Sequence, residues 1–228
     1  MISIIIPTLN EESNIGSLLG ALRSLEESDC CRCEIIIVDG GSSDKTTKLC
    51  EKADLLIHSQ PGRAVQQNAG VQKSQGDIVL FLHADCELKP GSLLAIQQLL
   101  ADGKYAAGCF RQQIDHPAWK YRMLEWGNSL RVRWFQSAYG DQGLFMTRSV
   151  FEQAGGFPDV PFLEDLLIMK KLRKLGKVGM LHKKIVISPR RWQKTGVIRQ
   201  TIINRLFVTL AHLGIPPHVL AKYYPQVR

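Results

Sequence analysis

Apolar residues in the first part of the chain come in short continuous runs separated by amphipathic stretches. "ISIIIP", "EIIIVDGGSSD", "DLLIHS" and "DIVLFLHAD" each read as a strand without polar alternation. Such runs are usually buried on both faces, as in parallel sheets covered by helices. Between them lie helical patterns. "EESNIGSLLGALRSL" puts Ile15, Leu18, Leu19, Leu22 and Leu25 on one face at helical spacing. "DKTTKLCEKA" reads as a short helix, and "RAVQQNAGVQKSQG" as a helix ended by Gly76. The β-α-β-α-β-α-β order predicts an α/β fold with a doubly wound, Rossmann-like, mainly parallel sheet.

The second half is less regular. "PGSLLAIQQLLADG" is helical, "YAAGCFRQQI" a strand, "AWKYRMLEWGNSLRVRWF" an aromatic and basic helix, and "GLFMTRSVFEQAGGF" a strand followed by a short helix. "EDLLIMKKLRKLG" is an amphipathic helix with Leu166, Leu167, Met169, Leu172 and Leu175 apolar, capped by Gly176. A strand "KIVIS" and an apolar-rich helix "VIRQTIINRLFVTLAHLG" follow. No repeat, low-complexity tract or linker interrupts the chain, so one domain over residues 1–228 is expected.

Composition changes this picture little. With 45% hydrophobic and 22% charged residues, the 228-residue chain is an ordinary folded protein able to bury a sizeable core. A net charge of +8 suits a nucleotide, an anionic membrane surface or nucleic acid. No zinc finger, RRM or GxxxxGK[ST] loop is present, which argues against nucleic acid. Met1 leads straight into the first strand without a secretory leader, so the six cysteines are expected as reduced thiols of a cytoplasmic protein. "CCRC" lacks a second cluster at zinc-site spacing and reads as a loop. No run of 18 uncharged apolar residues predicts a spanning helix.

The candidate chemistry sits where apolar runs end in acids. In "VLFLHADC", His83 and Asp85 are two positions apart, so strand alternation would project both from the same face at the carboxyl end. That edge is where open α/β sheets bind ligands, and Asp39 ends another strand in the same way. Asp44 opens the next helix, and Glu164-Asp165 begin the amphipathic one. Each has a plainer reading. Asp44 serves equally as a helix cap. Glu164 and Asp165 serve equally as charges at a helix's positive end, worth about 0.3–1 kcal/mol. For His83 the plainer reading is a core histidine and for Arg63 a solvated first-turn residue, each the weaker alternative.

Taken in order, "IIIPTLNEE", "IIVDGGSSDKT", "GRAVQQNAG", "VLFLHADC" and "FLEDLLIMKKLRKLG" resemble family 2 glycosyltransferases of the GT-A fold, nearly end to end. "GDQGLFM" and "SPRRWQKTG" resemble a compact bacterial subgroup. The resemblance implies inverting transfer of a sugar from a nucleotide diphosphate sugar, commonly a UDP-sugar, with a divalent cation. It divides the domain into a nucleotide-sugar half, 1–110, and an acceptor half, 111–228. It places Pro7, Thr8, Asn10, Glu11, Gly40 and Asp44 around the nucleoside, gives Asp39 the uracil N3–H, and makes Arg63 a basic contact. His83-Ala84-Asp85 stands where the family has Asp-x-Asp, so Asp85 is implied as a ligand of Mg²⁺ or Mn²⁺. His83 is either a second ligand, better suited to Mn²⁺, or a hydrogen-bonding group. Asp165 matches the general base and Glu164 its neighbour, while Asp141 and Gln142 lie on the acceptor side, Asp141 being the rival base. Arg190-Arg191-Trp192 matches a late motif in which arginine grips phosphate and tryptophan faces a sugar; a basic strand end is the plainer reading.

Two helical stretches bear on the acceptor. Residues 119–135 carry Trp119, Tyr121, Trp126, Trp134 and Phe135 among Lys120, Arg122, Arg131 and Arg133. Residues 197–213 align Ile198, Ile202, Leu206, Leu210 and Leu213 beside Arg199 and Arg205. Both read either as core helices or as helices lying on an anionic bilayer. The second reading favours a peripheral protein on the inner membrane face and a lipid-linked or carotenoid-type acceptor hydroxyl or carboxyl. Two rival functions remain. A nucleotidyltransferase would need a Gly- and Lys-rich loop where Pro7-Thr8-Leu9-Asn10-Glu11 stands. A non-catalytic nucleotide-sugar-binding module has only the histidine at position 83 in its favour.

Overall fold

The computed structural model describes residues 1–224, with the Arg191 side chain outside the described set. The first half gives β1 (Ile2–Thr8), α1 (Ile15–Asp29), β2 (Cys33–Asp39), β3 (Leu55–His58), α2 (Arg63–Lys73), β4 (Ile78–Phe81), β5 (Cys86–Leu88) and α3 (Ser92–Ala101). The second half gives β6 (Tyr105–Ile114), α4 (Trp119–Phe135), β7 (Phe145–Thr147), α5 (Arg148–Gln153), α6 (Glu164–Leu175), β8 (Lys177–Ile187), α7 (Arg190–Thr195), α8 (Val197–His212) and α9 (Pro217–Tyr223). Two 3₁₀ turns lie at Thr47–Leu49 and Gly140–Gln142.

All eight strands join one sheet in the order β3-β2-β1-β4-β7-β6-β8-β5. The β3-β2-β1-β4 portion is parallel, with Thr8 opposite Asp39 and Asp39 opposite His58 at its carboxyl edge. Beyond β4 the sheet becomes mixed: β7 runs antiparallel to both β4 and β6, whereas β6 and β8 are parallel. The uninterrupted apolar runs have the meaning expected of them. Ile2, Ile4 and Ile6 enter one core with the α1 face Ile15, Leu18, Leu19, Leu22 and Leu25, while Ile5 enters a second core with Val71, Phe151 and Met169. Alternate side chains of one strand thus feed two hydrophobic layers.

Several boundaries differ from the sequence expectation. "DKTTKLCEKA" makes only the 3₁₀ turn and bends, and Asp44 accepts hydrogen bonds from Thr46 just ahead of that turn. α2 ends at Lys73, with Ser74 extended, three residues before Gly76. β4 stops at Phe81, so His83–Asp85 occupy a turn closed by Cys86 N–H donating to His83 O (3.2 Å). β8 starts at Lys177, well before "KIVIS", because it follows α6 directly and pairs along β6. β5, α7 and α9 had no counterpart in the sequence reading.

Candidate active site

The carboxyl ends of β1 and β2 carry two loops that are laced together. Asn10 N–H donates to Ser42 Oγ (2.9 Å), Ser43 N–H to Asn10 Oδ1 (2.9 Å), Glu11 N–H to Thr46 Oγ1 (2.8 Å) and Lys45 N–H to Glu12 Oε2 (3.0 Å). Asp44 ties the same loops, accepting from Glu12 N–H at 3.2 Å. Pro7 and Thr8 end β1 beside them, and Gly40 N–H donates to Thr8 O (2.9 Å).

Asp39 lies at the floor of these loops and is 1% exposed. Burial opposes its ionisation. Hydrogen bonds from the Ser42 hydroxyl, the Ser42 and Gly41 N–H groups and the Thr8 hydroxyl outweigh burial and hold the carboxyl below its ordinary range. His58 Nδ1 lies 3.8 Å from it. In this conformation Asp39 is an organiser of the loop. Asp44 is likewise lowered: desolvation opposes the shift, and hydrogen bonds from Thr46 and Glu12 together prevail.

From this floor a chain of contacts runs round the sheet edge. Glu11 Oε2 lies 3.7 Å from Arg190 Nη2, which in turn lies 3.1 Å from Asp85 Oδ2. Asp85 shares the turn after β4 with His83. A Cβ placed on Gly140 would stand 3.2 Å from His83 Nε2 and 3.8 Å from Asp165 Oδ2, so the absent side chain lets these groups converge. Gly140 N–H donates to Asp165 Oδ2 (2.9 Å) and Leu166 N–H to Asp165 Oδ1 (2.7 Å). Glu164, 7% exposed, pairs with Arg63 across 3.9 Å. Arg63 opens α2, whose Gln66 donates to Thr8 O (2.9 Å) and Val38 O (2.7 Å), beside Asp39. Together these links form a partial ring that brings Asp39, Asp85 and Asp165, far apart in sequence, to neighbouring loops at one sheet edge. Two hollows of about 450 and 480 Å³ lie elsewhere, by Arg148 and by Lys104, and neither is lined by a residue of this ring.

The acceptor-side wall is a polar network under α4. Gln112 Nε2 donates to Asp141 Oδ2 (2.8 Å), and Asn128 Nδ2 donates to Gln112 Oε1. Arg131 Nη2 donates to Gln142 Oε1 (2.9 Å), and its guanidinium lies 3.3 Å from the Tyr139 ring centroid. Burial raises the Tyr139 phenol above its ordinary value; Arg131 opposes the rise, and Asp165 and Asp141 add to it. α6 begins immediately after Leu163, a bulky residue at φ 66°, in the left-handed region that disfavours such side chains. That turn delivers Glu164 and Asp165 to the ring.

A resident metal cage is absent: among the described residues no group of three or more His, Cys, Asp or Glu could hold an ion. The donor set fits a different arrangement. Mg²⁺ and Mn²⁺ sites in nucleotide enzymes use one or two protein ligands and complete the shell with phosphates and water. Asp85 with His83 supplies that much, and the guanidinium of Arg190 on Asp85 and Glu11 shows that the spot attracts positive charge.

Two expectations need correction. His83 and Asp85 do not project together by strand alternation; the turn places them. Trp192 does not present an open face for a sugar: it is 8% exposed and packs edge-on against Tyr121 at 6.4 Å. Of the late motif, Arg190 reaches the ring, through a helix rather than a strand end. The sequence expectation for that motif was Arg191 with Trp192; the Arg191 side chain lies outside the described residues, and Arg190, Gly140, Gln66 and Ser42 were not singled out.

Comparisons with known proteins bear on the family and the fold. Residues 3–156 match the model of glycosyl transferase family 2. An undecaprenyl-phosphate 4-deoxy-4-formamido-L-arabinose transferase of Pseudomonas syringae is 30% identical over 128 residues, 52% of this chain and 38% of that protein. Glycosyltransferase AglE of Haloferax volcanii is 33% identical over 93 residues, 37% of this chain and 30% of its own. The chain thus spans well under half the length of these relatives. Among solved structures, a Pyrobaculum calidifontis mannosyltransferase in complex with GDP-Man and Mn²⁺ aligns at TM-score 0.67 and 21% identity, covering 81% of this chain and 56% of that one. Glucosyl-3-phosphoglycerate synthase of Mycobacterium tuberculosis, with Mn²⁺, UDP and product, aligns at 0.61 and 19%, covering 95% and 81%. At such identities the likeness is one of fold, the GT-A fold. With the family model covering more than half of its length and that fold beneath it, the chain belongs to glycosyl transferase family 2.

Proposed function

We propose that this chain moves a sugar, with inversion, from a UDP-sugar to an oxygen nucleophile on a lipid-linked acceptor. The observation that carries the reading is the set of contacts at one sheet edge, Arg190 with Asp85 and Glu11, Gly140 with Asp165 and Arg63 with Glu164, beside the loops that Asp39 anchors. The laced loops at residues 8–12 and 40–46 take the nucleoside, with Asp39 holding their shape. Arg63 and Arg190 face the diphosphate as cationic forks. Asp85, with His83, would hold a divalent cation that neutralises charge on the leaving diphosphate. The Glu164 carboxylate orients Arg63, and the Asp141–Gln142 wall meets the acceptor.

For an acceptor hydroxyl, the new C–O bond forms as the sugar–phosphate bond breaks, and the hydroxyl proton passes to Asp165. Two backbone N–H groups fix that carboxylate's orientation for the transfer. A polyprenyl phosphate oxygen is already ionised and needs no base. The undecaprenyl-phosphate transferases among the relatives support an acceptor of that class.

The test is UDP release from a panel of UDP-sugars with Mn²⁺, comparing wild type with Asp165→Asn. With a hydroxyl acceptor the variant should lose about 10²–10⁴-fold in turnover. With a polyprenyl phosphate it should keep most of its rate. Failure of the wild type to bind or turn over any nucleotide sugar, or release of pyrophosphate in place of UDP, would refute the proposal.

A further inference from the structure

The molecule's charge is divided along the chain. Residues 166–228 contain fourteen of its 29 Lys and Arg and no Asp or Glu, whereas residues 1–165 hold all 21 acids against fifteen bases. The same basic segment builds α8, and α8 is apolar on both sides. Its inner side, Val197 and Phe207, is buried, and Phe207 packs with Leu163, Leu166 and Leu220. Its outer side carries Ile198, Ile202, Leu206 and, just past its end, Leu213, exposed by 75, 61, 52 and 75%. Exposed Arg199, Arg205 and His212 flank that stripe.

α4 repeats the pattern. Tyr121, Glu125 and Val132 face inward, and Trp119, Met123, Trp126 and Trp134 face out at helical spacing with 60–74% exposure. Lys120, Arg122 and Arg133 stand beside them, and the helix's one acid, Glu125, is turned inward against Arg122 (2.8 Å). The two helices are joined at their starts, since Trp192 of α7, which leads into α8, packs on Tyr121 of α4. No helix among the described residues is long and apolar enough to cross a membrane.

Exposed indoles and aliphatics interleaved with cations, on two helix faces that carry no exposed acid, match the headgroup layer of an anionic bilayer: apolar side chains enter the acyl boundary and Arg and Lys meet lipid phosphates. We propose that the outer faces of α4 and α8 form a docking surface for an anionic lipid bilayer. Arg190, at the start of the helix before α8, contacts Asp85 and so sets the candidate site beside the membrane. The proposal rests on surface chemistry and not on the sugar-transfer reading, and lipid binding is measured without turnover.

The experiment is co-sedimentation of the full chain with vesicles carrying about 30% phosphatidylglycerol, against pure phosphatidylcholine vesicles. Two double variants accompany it, Ile202→Glu/Leu206→Glu and Trp119→Glu/Trp126→Glu. All four residues are exposed, so the fold should persist, and circular dichroism verifies this. Wild type should bind the anionic vesicles, bind neutral ones at least tenfold more weakly, and weaken as salt screens the charges; each double variant should lose at least tenfold. Equal binding to both vesicle types, no binding to either, or an undiminished double variant overturns the proposal. So does light scattering that shows a dimer which the α8 variant converts to monomer, because a second copy would then cover the face.

Discussion

Removing Arg190 tests whether a protein cation holds the place of a metal. Arg190 Nη2 stands 3.1 Å from Asp85 Oδ2 and 3.7 Å from Glu11 Oε2, with about half of its side chain exposed. A divalent ion arriving at Asp85 must displace this contact. Two unit charges at the 3.1 Å separation attract by about 1.3 kcal/mol in a fully aqueous dielectric. Exposed pairs of this kind measure about 0.2–1 kcal/mol once side-chain ordering is counted. Arg190→Ala should therefore leave thermal stability nearly unchanged while tightening Mn²⁺ binding to the free protein by about 1.5- to 5-fold. The assay is titration of free Mn²⁺ by electron paramagnetic resonance, repeated with UDP present. With UDP the sign should reverse, because the variant has lost a fork for the diphosphate. A variant that binds Mn²⁺ no better than wild type without nucleotide refutes the competition, and Arg190 is then only a structural tie between α7 and the loops.

Gly70 of α2 should tolerate no side chain, since a Cβ there would stand 2.5 Å from Ile5 Cγ2 in the core. Overpacking costs about 1–3 kcal/mol, only partly offset by alanine's helix propensity of about 1 kcal/mol. By contrast, Gly127→Ala in α4, with nothing within 4 Å, should raise stability by about 0.5–1 kcal/mol; a calorimetric midpoint that rises for Gly70→Ala as well would contradict the close approach of α2 to β1. Asp39 has its folded pKa depressed below the ordinary 3.8, so it stabilises the fold fully above that value and the contribution is lost as pH falls through the lowered folded value. Denaturant unfolding from pH 6 down to pH 2 should show a flatter acid limb for Asp39→Asn than for wild type, and superimposable limbs would remove the carboxylate as the loop's organiser.

The apolar runs by themselves determined which segments became the parallel strands β1 to β4. A run buried on both faces announces itself locally, and the α1 stripe likewise named its own buried face. Asp39, Asp85 and Asp165 could be marked as candidates from the sequence because Asp39 closes β2, Asp85 lies in the turn after β4 and Asp165 stands in the first turn of α6.

What only the tertiary structure decided lies in contacts between distant segments. The pairing of Cys86–Leu88 with Ile185–Ile187, the Arg190–Asp85 contact and the Arg63–Glu164 pair join positions roughly a hundred residues apart, and no local propensity records such a meeting. Trp192 turned inward because Tyr121 offered it an apolar edge, and α8 turned Phe207 inward and Ile202 outward although both sides of that helix are apolar. Periodicity reveals that a face is hydrophobic. What covers the face depends on the rest of the chain, because burial is a property of neighbours and not of the residue.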